Sequence, residues 1–308
     1  MCGAAFAEKS TITIGAGSAG GTYFTVVKEI TRFCSSPTLE IKHYIKSDGK
    51  TIEGGSIKNL ENLLNNEMQC GIVQRDIAQL AKMNDPENMS RIIALVPLHQ
   101  EQVHFLTLNY VSAKQASSRF TKLIGNEKTV YIENPMTSIS HLQGKAVAAW
   151  GGSVKTAEII KLMTNINFRI VDVADEKEAL QKINNGEVAC IIAVVGAPAP
   201  WIKVLPKKQF KLLSAKEEAD RLKDFYSIST IKYDNLGSTG QTVKTFNTDC
   251  ILFTREYRSP QTIKALTELQ MNIRKNIYLI RDTPHTHPAW QKVDPSRPAK
   301  WDKNFNGK

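Results

Sequence analysis

Apolar residues recur at two different spacings along the first hundred residues. Residues 11–14 form a short β-branched run that ends at Gly15, which predicts a strand. Apolar side chains then return every three or four residues over 23–33, as on one face of a helix. The same reasoning predicts strands over 39–45, 70–73, 91–96 and 103–108, and a helix over 56–65. Because strands and helices alternate, a parallel α/β sheet is expected, with ligand-binding loops at the carboxyl ends of its strands.

A second α/β unit begins near Leu142 and repeats this order. Its predicted elements are strands over 145–149, 168–173 and 188–195, and helices over 153–163 and 177–184. Beyond them the pattern predicts a helix over 215–223, a strand over 248–254 and a long helix over 259–276. We therefore predict one α/β domain from 9–100 with 201–280 and a second from 101–200, which carries a weakly structured excursion at 110–135. Residues 281–308 are expected to pack as an irregular C-terminal tail.

Composition limits the class of protein. The chain has 308 residues, 42% of them hydrophobic, which is enough for two globular cores. No run of about 18 apolar residues occurs, so we do not expect a membrane permease. The net charge of +10 favours anionic ligands, but the excess lysine and arginine is spread along the chain without interleaved aromatic residues. Nucleic acid is therefore not expected as a partner.

The N-terminus and the cysteines bear on the cellular compartment. Residues 1–8 are interpreted as a remnant of an export signal or as residues added for production, because Ala5-Phe6-Ala7 has the small-x-small form that precedes signal cleavage. A lipid anchor at Cys2 is an open alternative. The other four cysteines are Cys34, Cys70, Cys190 and Cys250. They lie far apart with no C-x-x-C spacing, which argues against a zinc site. Buried free thiols are therefore predicted, and one disulfide among the four is an open alternative.

The loop after the first predicted strand matches the dinucleotide-binding pattern G-x-G-x-x-G at Gly15, Gly17 and Gly20. A nucleotide site also needs a carboxylate at the end of the second strand, and here that strand runs into Lys46, Ser47 and Asp48. The nucleotide is therefore the weaker alternative. A small carboxylate, bound by backbone amides with Ser18, Thr22 and Tyr23, is the interpretation that we favour.

Catalytic patterns are weak throughout. Ser18 lacks the glycine two residues earlier that a nucleophile elbow requires, because Ala16 stands there. No H-E-x-x-H occurs, and the pairs His99/His104 and His285/His287 have no evident catalytic partner, so each is predicted to lie on the surface or in the tail. We expect no enzyme activity, no metal and no cofactor.

Six short segments, in order, resemble the TAXI-type solute-binding proteins of tripartite (TRAP) transporters over about residues 10–277. They are Gly20-Gly21-Thr22-Tyr23, Gly55-Ser56-Ile57-Lys58-Asn59-Leu60, Gly71-Ile72-Val73-Gln74-Arg75-Asp76-Ile77-Ala78, Leu142-Gln143-Gly144-Lys145, Gly151-Gly152-Ser153-Val154-Lys155-Thr156-Ala157 and Gly196-Ala197-Pro198. The resemblance implies an α/β, two-domain periplasmic-binding-protein-like (type II) fold with a ligand cleft between the domains. It implies capture of a small organic acid by domain closure in the periplasm and its delivery to an ion-coupled TRAP permease. A receptor that signals to a membrane sensor kinase is the alternative.

The resemblance also implies which residues meet the ligand. The ligand class would be a glutamate-like amino acid or a 2-oxo or dicarboxylic acid, bound by a monomer. The candidate ligand contacts are Ser18, Gly21, Thr22, Tyr23, Ser56, Asn59, Gln74, Asp76, Ser153 and Thr156. Ser18 comes from the interpretation of the glycine loop, and the others are implied by the resemblance.

Some positions depart from the family pattern. Cys70 and Cys190 stand where aspartate is usual, and Val154 and Lys155 replace the usual glycine after Ser153. Arg75 and Lys155 are candidates to pair a ligand carboxylate, although each could be a solvated helix-start cation. Trp150 could wall the cleft or belong to the core.

Overall fold

The chain forms two compact units in the computed structural model. The structure describes residues 9–19, 21–45, 54–115, 128–294 and 296–307. The first unit comprises residues up to Glu101 together with Thr248 onwards, and the second unit is Gln102–Asn247. No helix among the described residues is long and apolar enough to cross a membrane.

The first unit is built on a sheet with the order β2–β1–β3–β12. Its strands are β1 (Ser10–Gly15), β2 (Leu39–His43), β3 (Cys70–Gln74) and the second half of β12 (Gln241–Arg255). β1 runs parallel to β2 and β3, whereas β12 is antiparallel to β3. Every residue of β3 is buried, as expected for a strand that is covered on both faces.

Helices cover this first sheet. They are α1 (Thr22–Cys34), α2 (Ser56–Leu64), α3 (Arg75–Asn84), the short α4 (Pro86–Met89) and α9 (Pro260–Asp282). One apolar cluster joins the inward residues of β1 to α1 and α9, among them Ile14, Ile30 and Ile273, all fully buried. Because β1 and β3 are parallel neighbours, the loops that leave their carboxyl ends meet at one edge of the sheet.

The second unit contains a sheet with the order β4–β9–β7–β8, in which β9, β7 and β8 are parallel and β4 is antiparallel to β9. Its strands are β4 (Ile92–Leu108), β7 (Ala146–Ala149), β8 (Arg169–Asp172), β9 (Cys190–Val195), β10 (Phe210–Leu212) and β11 (Ser227–Tyr233). Its helices are α5 (Gly152–Thr164), α6 (Glu176–Asn184), α7 (Pro200–Lys203) and α8 (Ala219–Leu222), with 3₁₀ turns at Ile139–Leu142 and Lys216–Glu218. Strands β4 and β12 each contribute residues to both units.

Several predicted elements merge or change type. The strands predicted over 91–96 and 103–108 are one strand, β4, because the polar residues between them are also extended and buried. The helix predicted over 215–223 is a 3₁₀ turn followed by the single turn α8. The limits of helix α3 were not predicted, although Arg75 was considered as a helix-start cation. Strand β11 was not predicted. Strand β11 alternates exposed and buried residues, but its lysine and serine content concealed that pattern.

Residues 201–247 pack in the second unit, whereas the predicted limits placed them in the first domain. Strand β10 pairs with Leu106–Leu108 of β4, and the Tyr233 hydroxyl lies 2.9 Å from His104 Nε2. Pairing with β4 therefore decides the assignment, and a boundary after the proline-rich segment near Pro200 was wrong.

The excursion predicted over 110–135 is more regular than expected. Strand β5 (Tyr110–Gln115) pairs antiparallel with β6 (Lys128–Glu133) over their whole length. The segment between these strands lies outside the described residues. Tyr131 and Ile132 are successive residues of β6 and therefore point to opposite faces, yet both are exposed, so neither face of this ribbon is buried there.

The C-terminal tail, predicted as irregular, is anchored to the first unit. Trp290, from a 3₁₀ turn at Pro288–Lys292, is 1% exposed and donates its indole N–H to Glu29 of α1. Trp301 donates its indole N–H to the carbonyl of Ile92 at 3.0 Å. Two buried aromatic residues with satisfied N–H groups hold this tail in place.

Close packing explains the first glycine of the glycine loop. A Cβ atom on Gly15 would lie 2.5 Å from Met68 Sδ and 2.6 Å from Asn59 Oδ1, both within the core beside β3. A Cβ on Gly17 would lie 3.4 Å from the Tyr23 Cβ, an ordinary contact. Gly15 is therefore required by its neighbours, independently of any ligand.

We expect Gly15→Ala to destabilise the first unit and Gly17→Ala to be well tolerated. Overpacking of a tight core costs about 1–3 kcal/mol, because neighbouring side chains must leave their preferred rotamers. Chemical denaturation of the two variants, followed by circular dichroism, measures the difference. Equal free energies of unfolding would contradict the packing explanation.

Candidate functional site

Three helices of the first unit begin without a capping bond from their own N-cap side chain. These are α1, α2 and α3, which follow Gly21, Gly55 and Gln74. In the same unit α4 and α9 are capped in the usual way by Asp85 and Ser259. The first amides of a helix need hydrogen-bond acceptors, and an uncapped N-terminus attracts an anion.

Side-chain contacts bring these three N-termini together. The hydroxyl of Tyr23, the second residue of α1, lies 3.2 Å from Oγ of Ser56, the first residue of α2. Ser56 Oγ in turn accepts the backbone N–H of Gln74 at 2.9 Å. All three residues are buried, with exposures of 8%, 4% and 4%. The structure thus places the predicted residues Tyr23, Ser56 and Gln74 in one cluster.

Asn59 has a positioning role in the structure. Its Nδ2 donates to the carbonyls of Ala16 at 2.7 Å and Ile72 at 2.8 Å. Both amide hydrogens are used by the main chain, so the side chain ties the glycine loop to strand β3. Direct contact between Asn59 and a ligand remains a prediction.

Asp76 is also fully buried. Its carboxylate accepts a hydrogen bond from Thr248 Oγ1 at 3.1 Å, and its backbone N–H donates to the same oxygen at 3.3 Å. Thr248 therefore links the start of α3 to β12. A carboxylate in the first turn of a helix is stabilised by the helix dipole.

The remaining predicted residues of the first loop lie nearer the surface. Ser18 is exposed, and its carbonyl accepts the N–H of Gly21 at 3.0 Å in a tight turn. Gly21 and Thr22 are partly exposed at the start of α1. Gly20 and the segment 46–53, which holds the charged residues considered for a ribose, lie outside the described residues.

Three buried residues beside this cluster were not predicted as part of the site. His99 and Glu101 lie two positions apart on β4 and so on one face of the strand, and Cys250 lies on β12. His99 Nε2 is 3.4 Å from Glu101 Oε1, and Gln74 Nε2 donates to Glu101 Oε2 at 2.8 Å. The prediction of a surface position for His99 was wrong. The available signal was the polar run His99-Gln100-Glu101-Gln102, which lies between apolar stretches of one strand.

Burial controls the protonation of this cluster. It raises the pKa of Cys250 well above its ordinary value, and Glu101 raises it further. Burial likewise raises the pKa of Tyr23, with added contributions from Cys250 and Glu101. Both groups are therefore protonated at neutral pH, and the Tyr23 hydroxyl lies 3.3 Å from Cys250 Sγ. The four cysteines that lie in the described ranges are buried free thiols, as expected: Cys34, Cys70, Cys190 and Cys250.

In the second unit the predicted residues gather at the start of α5. Ser153 and Thr156 are buried, and Ser153 Oγ accepts the N–H of Val194 in β9 at 3.0 Å. Lys155 pairs with Glu158 at 2.8 Å on the solvated face of the helix, as a helix-start cation would. The ring of Trp150 packs edge-on against Trp201 at 6.1 Å.

His104, also predicted to lie on the surface, is fully buried in the second unit. Its Nδ1–H donates to the carbonyl of Gln102 at 2.9 Å, and its Nε2 accepts from the Tyr233 hydroxyl. The Tyr233 hydroxyl oxygen accepts the N–H of Ala199 at 2.7 Å, so its own proton is directed to His104 Nε2. Desolvation lowers the pKa of His104 to about 4, so the ring is neutral at neutral pH.

Comparisons with known proteins agree with this architecture. A family model described as the NMT1-like family matches residues 14–129, less than half of the chain. A search of curated proteins gave no significant match. Two solved structures have a TM-score of 0.50 at 9% identity. One is a TctC solute-binding protein from Polaromonas solved with no ligand, where the match covers 87% of this chain and 83% of that chain. The other is a Xanthomonas citri protein bound to a chloride ion, with coverage of 92% and 88%.

The fold is that of the type II periplasmic binding proteins. The predicted fold class is thereby confirmed, since both the α/β alternation and the division into two units agree with it. At this level of sequence identity the match is informative about the fold alone.

The buried His104 makes stability depend on pH. Its folded-state pKa of about 4 lies below the ordinary value of 6.5, so the unfolded chain takes up the proton first as the pH falls. Stability is therefore complete above about pH 6.5 and falls towards pH 4, by on the order of 3 kcal/mol.

We expect His104→Gln to remove this dependence. The free energies of unfolding of the wild-type and variant proteins, measured by urea denaturation from pH 7 to pH 4, should converge as the pH falls. Parallel pH profiles for the two proteins would show that His104 is not the titrating group.

Proposed function

We propose that this protein is an exported solute-binding receptor of the TAXI type, which captures a small organic acid and delivers it to a TRAP-type ion-coupled permease. The substrate class is a glutamate-like amino acid or a 2-oxo or dicarboxylic acid. The protein acts in the periplasm without catalysis. The convergence of the first turns of α1, α2 and α3 at Tyr23, Ser56 and Gln74 is the observation that carries this proposal.

The chemistry of the cluster favours a carboxylate. Backbone amides at helix N-termini supply partial positive charge without a formal cation, which suits a compact anion. Tyr23 and Ser56 add hydroxyl groups that can donate to a carboxylate oxygen. Arg75, the first residue of α3 and 8% exposed, gives the same helix start a positive charge. A guanidinium can bind a carboxylate with two parallel hydrogen bonds.

The nucleotide alternative loses its main support. The glycine pattern that suggested it contains Gly15, which is explained by its contacts with Asn59 and Met68. Gly54 is explained in the same way, because a Cβ there would lie 2.3 Å from the carbonyl oxygen of Ala16. A carboxylate receptor requires no further ribose-binding residue.

Native mass spectrometry of the purified protein, before and after mild denaturation, is the direct test. The expected result is release of an organic acid, which rebinds in a calorimetric titration; L-glutamate and 2-oxoglutarate are the first probes. A released nucleotide, or no binding of any organic acid, would refute the proposal.

Variants of the cluster test the position of the site. We expect Tyr23→Phe to weaken binding of the acid about threefold to tenfold, because one hydrogen bond contributes roughly 0.5–1.5 kcal/mol. Gln74→Ala should weaken binding as well, while both variants keep the wild-type circular dichroism spectrum. The matched control is Tyr257→Phe, since Tyr257 is a partly buried tyrosine of the same unit whose hydroxyl donates to Met68. Normal affinity in both cluster variants would place the ligand elsewhere.

A further inference from the structure

The three buried residues that were not predicted as site residues form a compact set of metal-binding groups. One ligand atom from each of His99, Glu101 and Cys250 lies within 4.8 Å of the other two. Their exposures are 2%, 5% and 0%. No other group of three histidine, cysteine or acidic side chains in the described ranges meets this criterion.

We propose that His99, Glu101 and Cys250 bind one Zn²⁺ ion within the first unit. Zinc accepts imidazole nitrogen, thiolate sulfur and carboxylate oxygen together in a tetrahedral arrangement. The sulfur ligand disfavours Ca²⁺ and Mg²⁺, which prefer oxygen ligands alone. With bonds of about 2.0–2.3 Å, tetrahedral ligand atoms lie about 3.3–3.8 Å apart, so small side-chain rotations bring these groups into position.

Charge balance supports the assignment. A carboxylate as deeply buried as Glu101 is costly without a positive partner. Among the residues that the structure describes, a ring nitrogen of His99 lies 3.4 Å from Glu101 Oε1, and a histidine carries a positive charge only when it is protonated. A divalent cation bound by one carboxylate and one thiolate is locally neutral, which removes that cost.

Gln74 gives an independent indication of a ligand. Its Nε2 is bonded to Glu101, while its Oε1 is buried with no hydrogen-bond partner in the described part of the chain. An unpaired buried carbonyl costs roughly 1–3 kcal/mol. Oxygen is an acceptable zinc ligand, so Gln74 is the candidate for the fourth coordination position.

The sequence shows no zinc-binding motif here because the proposed ligands come from two strands that are far apart along the chain. His99 and Glu101 lie on β4 and Cys250 on β12, and β12 pairs with β3, which ends at Gln74. Cys250 and Gln74 are direct partners in that pairing. The spacing of the ligands along the chain therefore carries no C-x-x-C signature.

Metal titration of the full chain, stripped with a chelator and kept reduced, tests the proposal. We expect one Zn²⁺ per chain in competition with a chromogenic chelator. Co²⁺, used as a spectroscopic probe, should give a thiolate-to-metal charge-transfer band. Less than one equivalent of Zn²⁺, or a Co²⁺ spectrum without that band, overturns the proposal even if no variant folds.

Variants assign the ligands. Cys250→Ser and His99→Gln should each weaken Zn²⁺ binding by at least about 100-fold, more than the loss of an outer-shell partner. Cys250→Ser should also abolish the charge-transfer band. Cys34→Ser, which alters an equally buried thiol at the end of α1, and Cys2→Ser should leave binding and spectrum unchanged. A band lost in Cys2→Ser, or unaltered affinity in Cys250→Ser, contradicts the assignment.

The outcome is separable from that of the proposed receptor function. Circular dichroism of each metal-free variant establishes that it is folded. Titration of the stripped wild-type chain with L-glutamate and 2-oxoglutarate is a separate measurement. Zinc binding without organic-acid binding would overturn the receptor proposal alone, and the reverse result would overturn the metal site alone.

Discussion

The two hydrogen bonds from the Asn59 amide are the interaction on which the candidate site depends. They join the carbonyl of Ala16, at the end of β1, to that of Ile72, inside β3. Both carbonyls are buried, and unpaired buried acceptors are costly. Asn59 lies on α2, so the same bonds also fix the helix whose first residue, Ser56, contacts Tyr23 and Gln74. One side chain thus sets the positions of all three helix starts.

Much of the fold follows from local patterns. The starts of β1, β2 and β3 and the helices after the first two were predictable because their apolar spacing is regular and each lies next to a glycine or a turn. The limits of helix α3 were not predicted because the helix follows β3 with no intervening loop, as Gln74 ends the strand and Arg75 begins the helix. The sequence has no glycine, proline or other turn residue between the strand and the helix that would mark the change.

The site was predictable only in part, for a different reason. Tyr23, Ser56 and Gln74 were suggested by the family resemblance, and each lies at a junction between a loop or strand and a helix. His99, Glu101 and Cys250 lie inside long buried strands, and the first two belong to a run of four polar residues, His99-Gln100-Glu101-Gln102, between two apolar stretches of β4. Their proximity depends on how β4, β12 and β3 are placed, and pairing between distant strands leaves no local signal.

Some buried polar atoms near the candidate site have no hydrogen-bond partner within the described residues. Native interiors leave few buried polar atoms without a partner, and each carries a cost in stability. Within the described residues of the first unit, Asn59 Oδ1, Asn62 Nδ2 and Gln74 Oε1 are such atoms, and they lie on α2 or at the start of α3. A stable core would replace them with apolar groups of similar size. Under the two proposals, a ligand or an ion beside the start of α3 would supply a partner for Gln74 Oε1, whereas Asn62 lies in the second half of α2.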